Sequence, residues 1–235
     1  AFGVSLGAFS AYQQFKLPPI LPDFLARYPH SPVVAAGFMS VYALVGLLAS
    51  APIGRRLDAR LSHWIAALFG LIVMGITIAL LAPESGPIML LSRGIEGLAG
   101  ASGAIAGPAS AAAAASRRDL PVVTGLLAAW IPLGQIAAAL AALGFGAVGF
   151  DAWLGLWILG LALCPPLGFW AWCLLRNRTD APRAPRPAAI HPNATQRRRL
   201  ILAGAIFLMW SAQYFAFMTW LTQYLTSVLA LGRVA

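Results

Sequence analysis

Acidic side chains are scarce in this chain, and lysine is almost absent. Of 235 residues, 7 are Asp or Glu against 16 Lys or Arg, and the only lysine is Lys16. Charged residues make up 10% of the chain, too few to coat a soluble domain. There are two cysteines, Cys164 and Cys173, inside one apolar run. Their separation along a single helix prevents a bridge, and no metal-ligand spacing is present, so they read as small packing residues. The three histidines, His30, His63 and His191, fall in connections or at the ends of apolar runs, where none serves as a proton relay. No G-x-x-x-x-G-K-[ST] loop occurs, which argues against a pump driven by ATP. Strict apolar–polar alternation is missing, and with it the signature of a membrane β-barrel.

What is there is apolar surface. Hydrophobic residues reach 60% and mean hydropathy is +0.79, which requires an integral membrane protein. Runs longer than ten residues without alternation make it an all-α helical bundle. Seven spans are expected, over residues 1–21, 33–53, 62–81, 87–115, 120–144, 152–175 and 200–229. Residues 176–199 are rich in Pro and Arg and read as a basic, flexible linker between two bundles. The organisation is therefore a six-helix unit over 1–175, the linker, and the first helix of a second unit over 200–235. The chain opens inside an apolar run at Ala1, shows no signal peptide, and stops just beyond the last span. Both ends read as cut.

The net charge of +9 would suggest nucleic acid in a soluble chain. Here the arginines crowd into alternate connections instead. Arg55, Arg56, Arg60, Arg117, Arg118, Arg176, Arg178, Arg183, Arg186, Arg197, Arg198 and Arg199 sit after spans 2, 4 and 6, while the opposite side carries Arg27 and little else basic. The positive-inside rule makes loops 2–3, 4–5 and 6–7 cytoplasmic, beside anionic lipid. The excess of Arg over Lys and the abundant alanine hint at a bacterial chain, hence a bacterial inner (plasma) membrane. With the linker in the cytoplasm, the sequon Asn193-Ala194-Thr195 is a chance match.

The fourth span organises the rest. It reads LSRGIEGLAGASGAIAGP over residues 91–108 and carries Arg93 and Glu96 at bilayer depth. A charge there costs about 2.5–3.5 kcal/mol even on permissive scales, so such residues usually face a bundle interior or a watery path. On a helical wheel Arg93, Glu96, Gly97, Gly100, Gly103 and Gly107 share one arc, which joins a cation, an anion and a track of glycines that lets a neighbouring helix approach. Arg93 is either a solute-binding cation or a structural one satisfied by carbonyls and Glu96. Glu96 either carries a proton or stays ionised as the partner of Arg93. Lys16 either joins Arg93 in the interior, which would favour an anionic solute, or snorkels to the outer interface. Gln13, Gln14, Gln135, Gln213 and Gln223 can bond a solute or bond helix to helix. Trp130, Trp210, Tyr214 and Trp220 either line the path or belong to interfacial belts.

Six spans, a basic linker and a seventh span resemble the front part of a major facilitator superfamily transporter, about seven of that family's usual twelve spans. The fourth-span pattern R-x-x-Q-G-x-G reads here Arg93-Gly94-Ile95-Glu96-Gly97-Leu98-Ala99, with Gly100 one place late and Glu where the family has Gln. The loop 2–3 pattern G-x-x-x-D-R-x-G-R-R keeps Gly54 and Asp58 but has Ala59 and Leu61 at the following Arg and the second Gly. The fifth-span pattern of the family's antiporters keeps Gly125 and Gly134, then has Ala138, Ala139, Ala142 and Leu143 in place of Gly, Pro, Gly and Gly. The halves of that fold are parallel repeats, and Tyr12–Phe15 and Tyr214–Phe217 occupy comparable places in spans 1 and 7.

The resemblance implies a secondary transporter of a small solute working by alternating access. On this reading Arg93, Lys16, Gln13, Gln135, Gln213 and Tyr214 bind the solute, and Glu96 is the coupling site, with protons as the candidate ion in symport. Asp58, Arg55 and Arg56 gate the cytoplasmic side, although Asp58 can equally cap span 3. Gly97, Gly100, Gly103, Gly107, Gly125 and Gly134 pack helices. The partners are the solute, membrane lipid and protons, with no nucleic acid, no cofactor and no metal. A drug–proton antiporter is the alternative, weakened by the missing Gly-Pro of span 5 and by the lack of an acid in span 1. Gly100-Ala101-Ser102-Gly103 matches the G-x-S-G of rhomboid-type intramembrane proteases, but spans 5 to 7 offer no histidine base, so no enzyme is expected. A seven-helix receptor fits the count of spans and fails if further spans follow residue 235.

Overall fold

The computed structural model describes residues 1–57, 61–176 and 193–229, and all regular structure among them is helical. The helices are α1 (Phe2–Phe15), α2 (Leu21–Arg27), α3 (Pro32–Leu57), α4 (Leu61–Leu81), α5 (Gly86–Ala114), α6 (Leu120–Ala128), α7 (Trp130–Ala147), α8 (Ala152–Ala162), α9 (Cys164–Arg176) and α10 (Ala194–Ser227). Five stretches are long and apolar enough to cross a membrane: Pro32–Arg56, His63–Leu81, Leu120–Ala147, Ala152–Arg176 and Ala194–Ser227. The two remaining spans expected from sequence, α1 and α5, sit at the centre and hold the polar residues. α5 packs against α1, α3 and α4, and α1 packs in turn against α7.

Proline accounts for most departures from the expected boundaries. The first span, read as reaching residue 21, stops at Phe15, followed by a 3₁₀ turn over Pro18–Ile20. Pro18 and Pro19 lack the N–H groups that the carbonyls of Gln14 and Phe15 would otherwise accept, so the helix cannot continue. The polar connection expected next folds instead as α2, because Leu21 and Phe24 are buried. Phe24 packs on Trp153 at 4.8 Å between ring centres, and Arg27 pairs with Asp151, whose carboxylate also caps α8 by accepting from the Trp153 amide at 3.0 Å. Spans 5 and 6, expected as single helices, each break into two, at Ala129 and at Leu163. Pro132 and Pro165–Pro166 lie just beyond the breaks, where their rings crowd the carbonyls one turn earlier. The last span, expected from residue 200, already begins at Ala194. Asn193 caps it in a reciprocal box with Gln196, and this places Arg197, Arg198 and Arg199 on exposed helix rather than in the linker.

The glycine track on α5 is a contact surface. A Cβ at Gly97 would run into the Tyr42 backbone, one at Gly100 into the Tyr42 ring, and one at Gly103 into Ser10 and Leu68. One at Gly107 would stand 2.7 Å from the Gly3 carbonyl oxygen, and Gly134 of α7 abuts the α1 backbone at Ala8 and Tyr12. Gly125 departs from the packing expected of it: a Cβ there would meet nothing within 4 Å, because its face of α6 looks outward. Gly97→Val should therefore force α3 from α5 and lower thermal stability in detergent by about 1–3 kcal/mol or more, whereas Gly125→Ala should stay within about 0.5 kcal/mol of the parent. Equal melting curves for the two variants would remove the close approach as a determinant of the fold.

The α10 helix touches the rest only over part of its length. Residues 194–206 and 208–210 are exposed, and burial begins beyond them. There the Phe15 ring stacks on Phe215 at 5.8 Å, and the helix meets α2, α3 and the Pro18–Ile20 turn.

Candidate functional site

Residues three apart on a helix share a face, and α5 uses this to present Arg93 and Glu96 together. Both are fully buried, as is Lys16 at the end of α1. Glu96 lies ten residues into the 29-residue α5, about 15 Å along its axis. Arg93 binds one oxygen of Glu96, and the Lys16 ammonium donates to the other at 2.9 Å. The same ammonium donates to Gln13 Oε1 at 2.8 Å and lies 4.1 Å from the centre of the Trp157 ring. Lys16 thus belongs to the interior rather than to the outer interface.

Arg93 occupies all five of its N–H donors. Nε donates to the Phe38 carbonyl at 3.2 Å, Nη1 to the Gln13 carbonyl at 3.2 Å and to Glu96, and Nη2 to the Gln14 carbonyl at 3.1 Å and to Met39 Sδ at 4.0 Å. The Tyr42 ring lies 4.7 Å from its guanidinium carbon. The Gln14 carbonyl is the one orphaned by Pro18, so the sequence that ends α1 also creates an acceptor for Arg93. One side chain thereby joins α1, α3 and α5. Taking ions out of water costs several kcal/mol each, and a cluster at this depth persists only when its remaining hydrogen-bonding capacity is met. With all three groups ionised, the trio carries one net positive charge.

Room for the trio comes from small residues. A Cβ at Gly75 of α4 would lie 2.7 Å from Glu96 Cγ, and Ser92 Oγ donates to the Gly75 carbonyl at 2.8 Å. A Cβ at Gly160 of α8 would lie 2.8 Å from Gln13 Nε2. Tyr12 and Tyr42 tie the surrounding backbone, donating to the carbonyls of Leu156 at 2.7 Å and Ser10 at 3.3 Å. Tyr42, Gly75, Trp157 and Gly160 are absent from the candidates read off the sequence. The spacing of Trp157 and Gly160, three apart like Gln13 and Lys16, was the available signal.

The other candidates fall elsewhere. Gln135 Oε1 accepts from the Tyr214 hydroxyl at 2.7 Å, which joins α7 to α10, and Trp210 stacks on Tyr214 at 5.3 Å. Gln14 contributes its carbonyl, Trp130 packs beside Ala11 and Phe15, and Gln213 and Trp220 are exposed on α10. Gln213, expected in the solute site, stands on an exposed face of α10. The helical phase of α10 turns Tyr214 and Phe215 toward α1 and α7. Arg55 and Arg56 end α3 as exposed residues, and Asp58 lies outside the described residues together with the gating expected of it. A cavity of 460 Å³ opens between the start of α1 and the ends of α5 and α9, lined by Phe2, Ser110, Asp119 and Trp170. None of the trio lines it.

The sequence model of one family, the Major Facilitator Superfamily, matches residues 4–235. No curated protein and no solved structure matches the chain.

Proposed function

We propose that this chain, which belongs to the Major Facilitator Superfamily, carries a small anionic solute through its membrane by alternating access, with the Lys16–Glu96–Arg93 trio as its recognition and coupling centre. The supporting observation is the complete burial, inside the helical bundle, of two cations that share one carboxylate. Such an arrangement is costly as scaffold alone and attracts an anion through its net charge. The basic ends of α3, α5 and α9 and the start of α10 support a cytoplasmic face at Arg55, Arg56, Arg117, Arg118, Arg176 and Arg197 to Arg199.

Proton coupling at Glu96 follows from charge balance. Among the described residues it is the only buried carboxylate. A proton on Glu96 leaves Lys16 and Arg93 without a counter-charge, and an arriving solute anion replaces it. Proton and anion then bind cooperatively, and the linkage is reciprocal. Symport is the consequence.

Lys16→Met tests the reading in the full protein reconstituted into liposomes. Arg93 and Glu96 remain as a neutral pair, so the variant should fold, at a cost of about 1–3 kcal/mol for each buried oxygen that loses its donor, while KM for an anionic solute rises at least about tenfold. Uptake kinetics equal to the parent would mean that the trio is scaffold and that recognition lies elsewhere.

A further inference from the structure

Every donor of Arg93 is taken, but the other end of the trio is differently placed. Two buried side chains beside Lys16 hold N–H groups with no partner: Gln13 Nε2 and Trp157 Nε1. Gln13, Lys16 and Trp157 are all fully buried. Lys16 touches both residues, Gln13 on its own helix and Trp157 on α8. On α1, Gln13 and Lys16 are three apart and bonded side chain to side chain at 2.8 Å. On α8, Trp157 and Gly160 are three apart, the Trp157 ring under the Lys16 ammonium and Gly160 against Gln13 Nε2. The nearest acid, Glu96, spends both oxygens on Lys16 and Arg93. The nearby hydroxyls of Tyr12 and Tyr42 already donate to carbonyls, and Cys164 Sγ donates to the Gly160 carbonyl at 3.3 Å.

From this geometry we infer that Lys16 Nζ, Gln13 Nε2 and Trp157 Nε1 form the subsite for a single carboxylate group of the solute. The inference rests on the transport reading for its biological meaning, but not for its chemistry. A carboxylate suits the donor set better than a halide, because its two oxygens can meet donors arriving separately from α1 and from α8. It also supplies the one negative charge that the trio lacks. Buried N–H groups left unpaired are costly, and an anionic acceptor is the partner that recovers most. Arg93 then acts as a positioning residue, holding α1, α3 and α5 so that Lys16 is presented. Solute recognition thereby passes from Arg93, the residue most conspicuous in the sequence, to Lys16 with Gln13 and Trp157.

Acetate is the probe, added to the full protein purified in detergent at constant ionic strength, with the balance made up by a bulky sulfonate and with chloride as a parallel arm. The parent should show a saturable rise in unfolding temperature with acetate and none with chloride. Trp157→Phe keeps a ring beneath Lys16 and removes only the indole N–H, so it should melt near the parent without acetate and need roughly tenfold more acetate for the half-maximal rise. Gln13→Glu places the missing negative charge inside the site, so it should melt higher than the parent without acetate and no longer respond to it. An unresponsive parent, a response to chloride alone, or parental acetate dependence in both variants would overturn the assignment. If Trp157→Phe does not fold, Gln13→Glu decides alone. Binding without uptake into liposomes would remove the transport reading and keep the subsite, whereas uptake with a parental KM in Trp157→Phe would remove the subsite and keep transport.

Discussion

Glu96→Gln is expected to be the most damaging single substitution in the chain. It leaves Lys16 and Arg93, both fully buried, without the carboxylate whose two oxygens they divide. Net charge in the cluster rises from one positive to two. Removing one partner of a buried ion pair typically costs about 3–5 kcal/mol, because the other charge is left uncompensated, and here two are left. Most of the protein should fail to survive extraction as a single species on gel filtration. The diagnostic result is the second step. Adding Lys16→Met to Glu96→Gln returns the cluster to one net charge and should recover most of the lost thermal stability, a coupling that a double-mutant cycle measures directly. If the double variant melts no higher than Glu96→Gln alone, the damage comes from lost packing and not from charge.

Arg93→Ala is expected to be nearly as harmful, for a different reason. Electrostatically the variant is tolerable, since Lys16 and Glu96 remain as a neutral pair. Its cost lies chiefly in the carbonyls of Gln13 and Gln14 at the end of α1, which lose their shared donor, whereas the Phe38 carbonyl keeps its partner within α3. Each orphaned acceptor costs about 1–3 kcal/mol, so the two together remove a large share of the stability of an ordinary domain. Arg93→Lys should rescue little, because an ammonium has three donors and no planar fork with which to span α1 and α3. The measurement is thermal unfolding in detergent with and without acetate. A melting temperature for Arg93→Lys close to the parent would show that charge alone suffices at this position.

Much of this was legible in the sequence, and the reasons differ from residue to residue. Arg93 and Glu96 announced themselves, since ionisable groups inside an apolar run are costly there and seldom incidental. The contact faces of Gly97, Gly100, Gly103 and Gly107 followed from helical phase alone. Gly125 matched a family spacing yet meets open space, because spacing reports position along a helix and not what stands opposite. Lys16 left two readings open. It resolved inward because Pro18 and Pro19 stop α1 early and fold the next segment back as α2 over the bundle, a consequence of missing N–H groups that hydropathy does not register. Trp157 stayed hidden among aromatics that a membrane chain carries for many reasons. Its role depends on α8 crossing near α1, and that proximity of residues about 140 positions apart belongs to the tertiary arrangement. Asn193 matched a glycan acceptor, while its side chain is occupied as the cap of α10.

The one-sided grip on α10 has a mechanical consequence. Its buried and half-buried residues begin at Ser211 and include Tyr214, Phe215 and Thr219, while residues 194–206 and 208–209 are exposed. A small rotation of α10 about that stretch would work as a lever with its fulcrum beside Gln135. The exposed arm is roughly 25 Å long, so a tilt of about 10° would swing its tip by about 4 Å while displacing the gripped turn very little. Large travel at the arginine-bearing tip and near stillness at Tyr214 are two ends of a single small rotation.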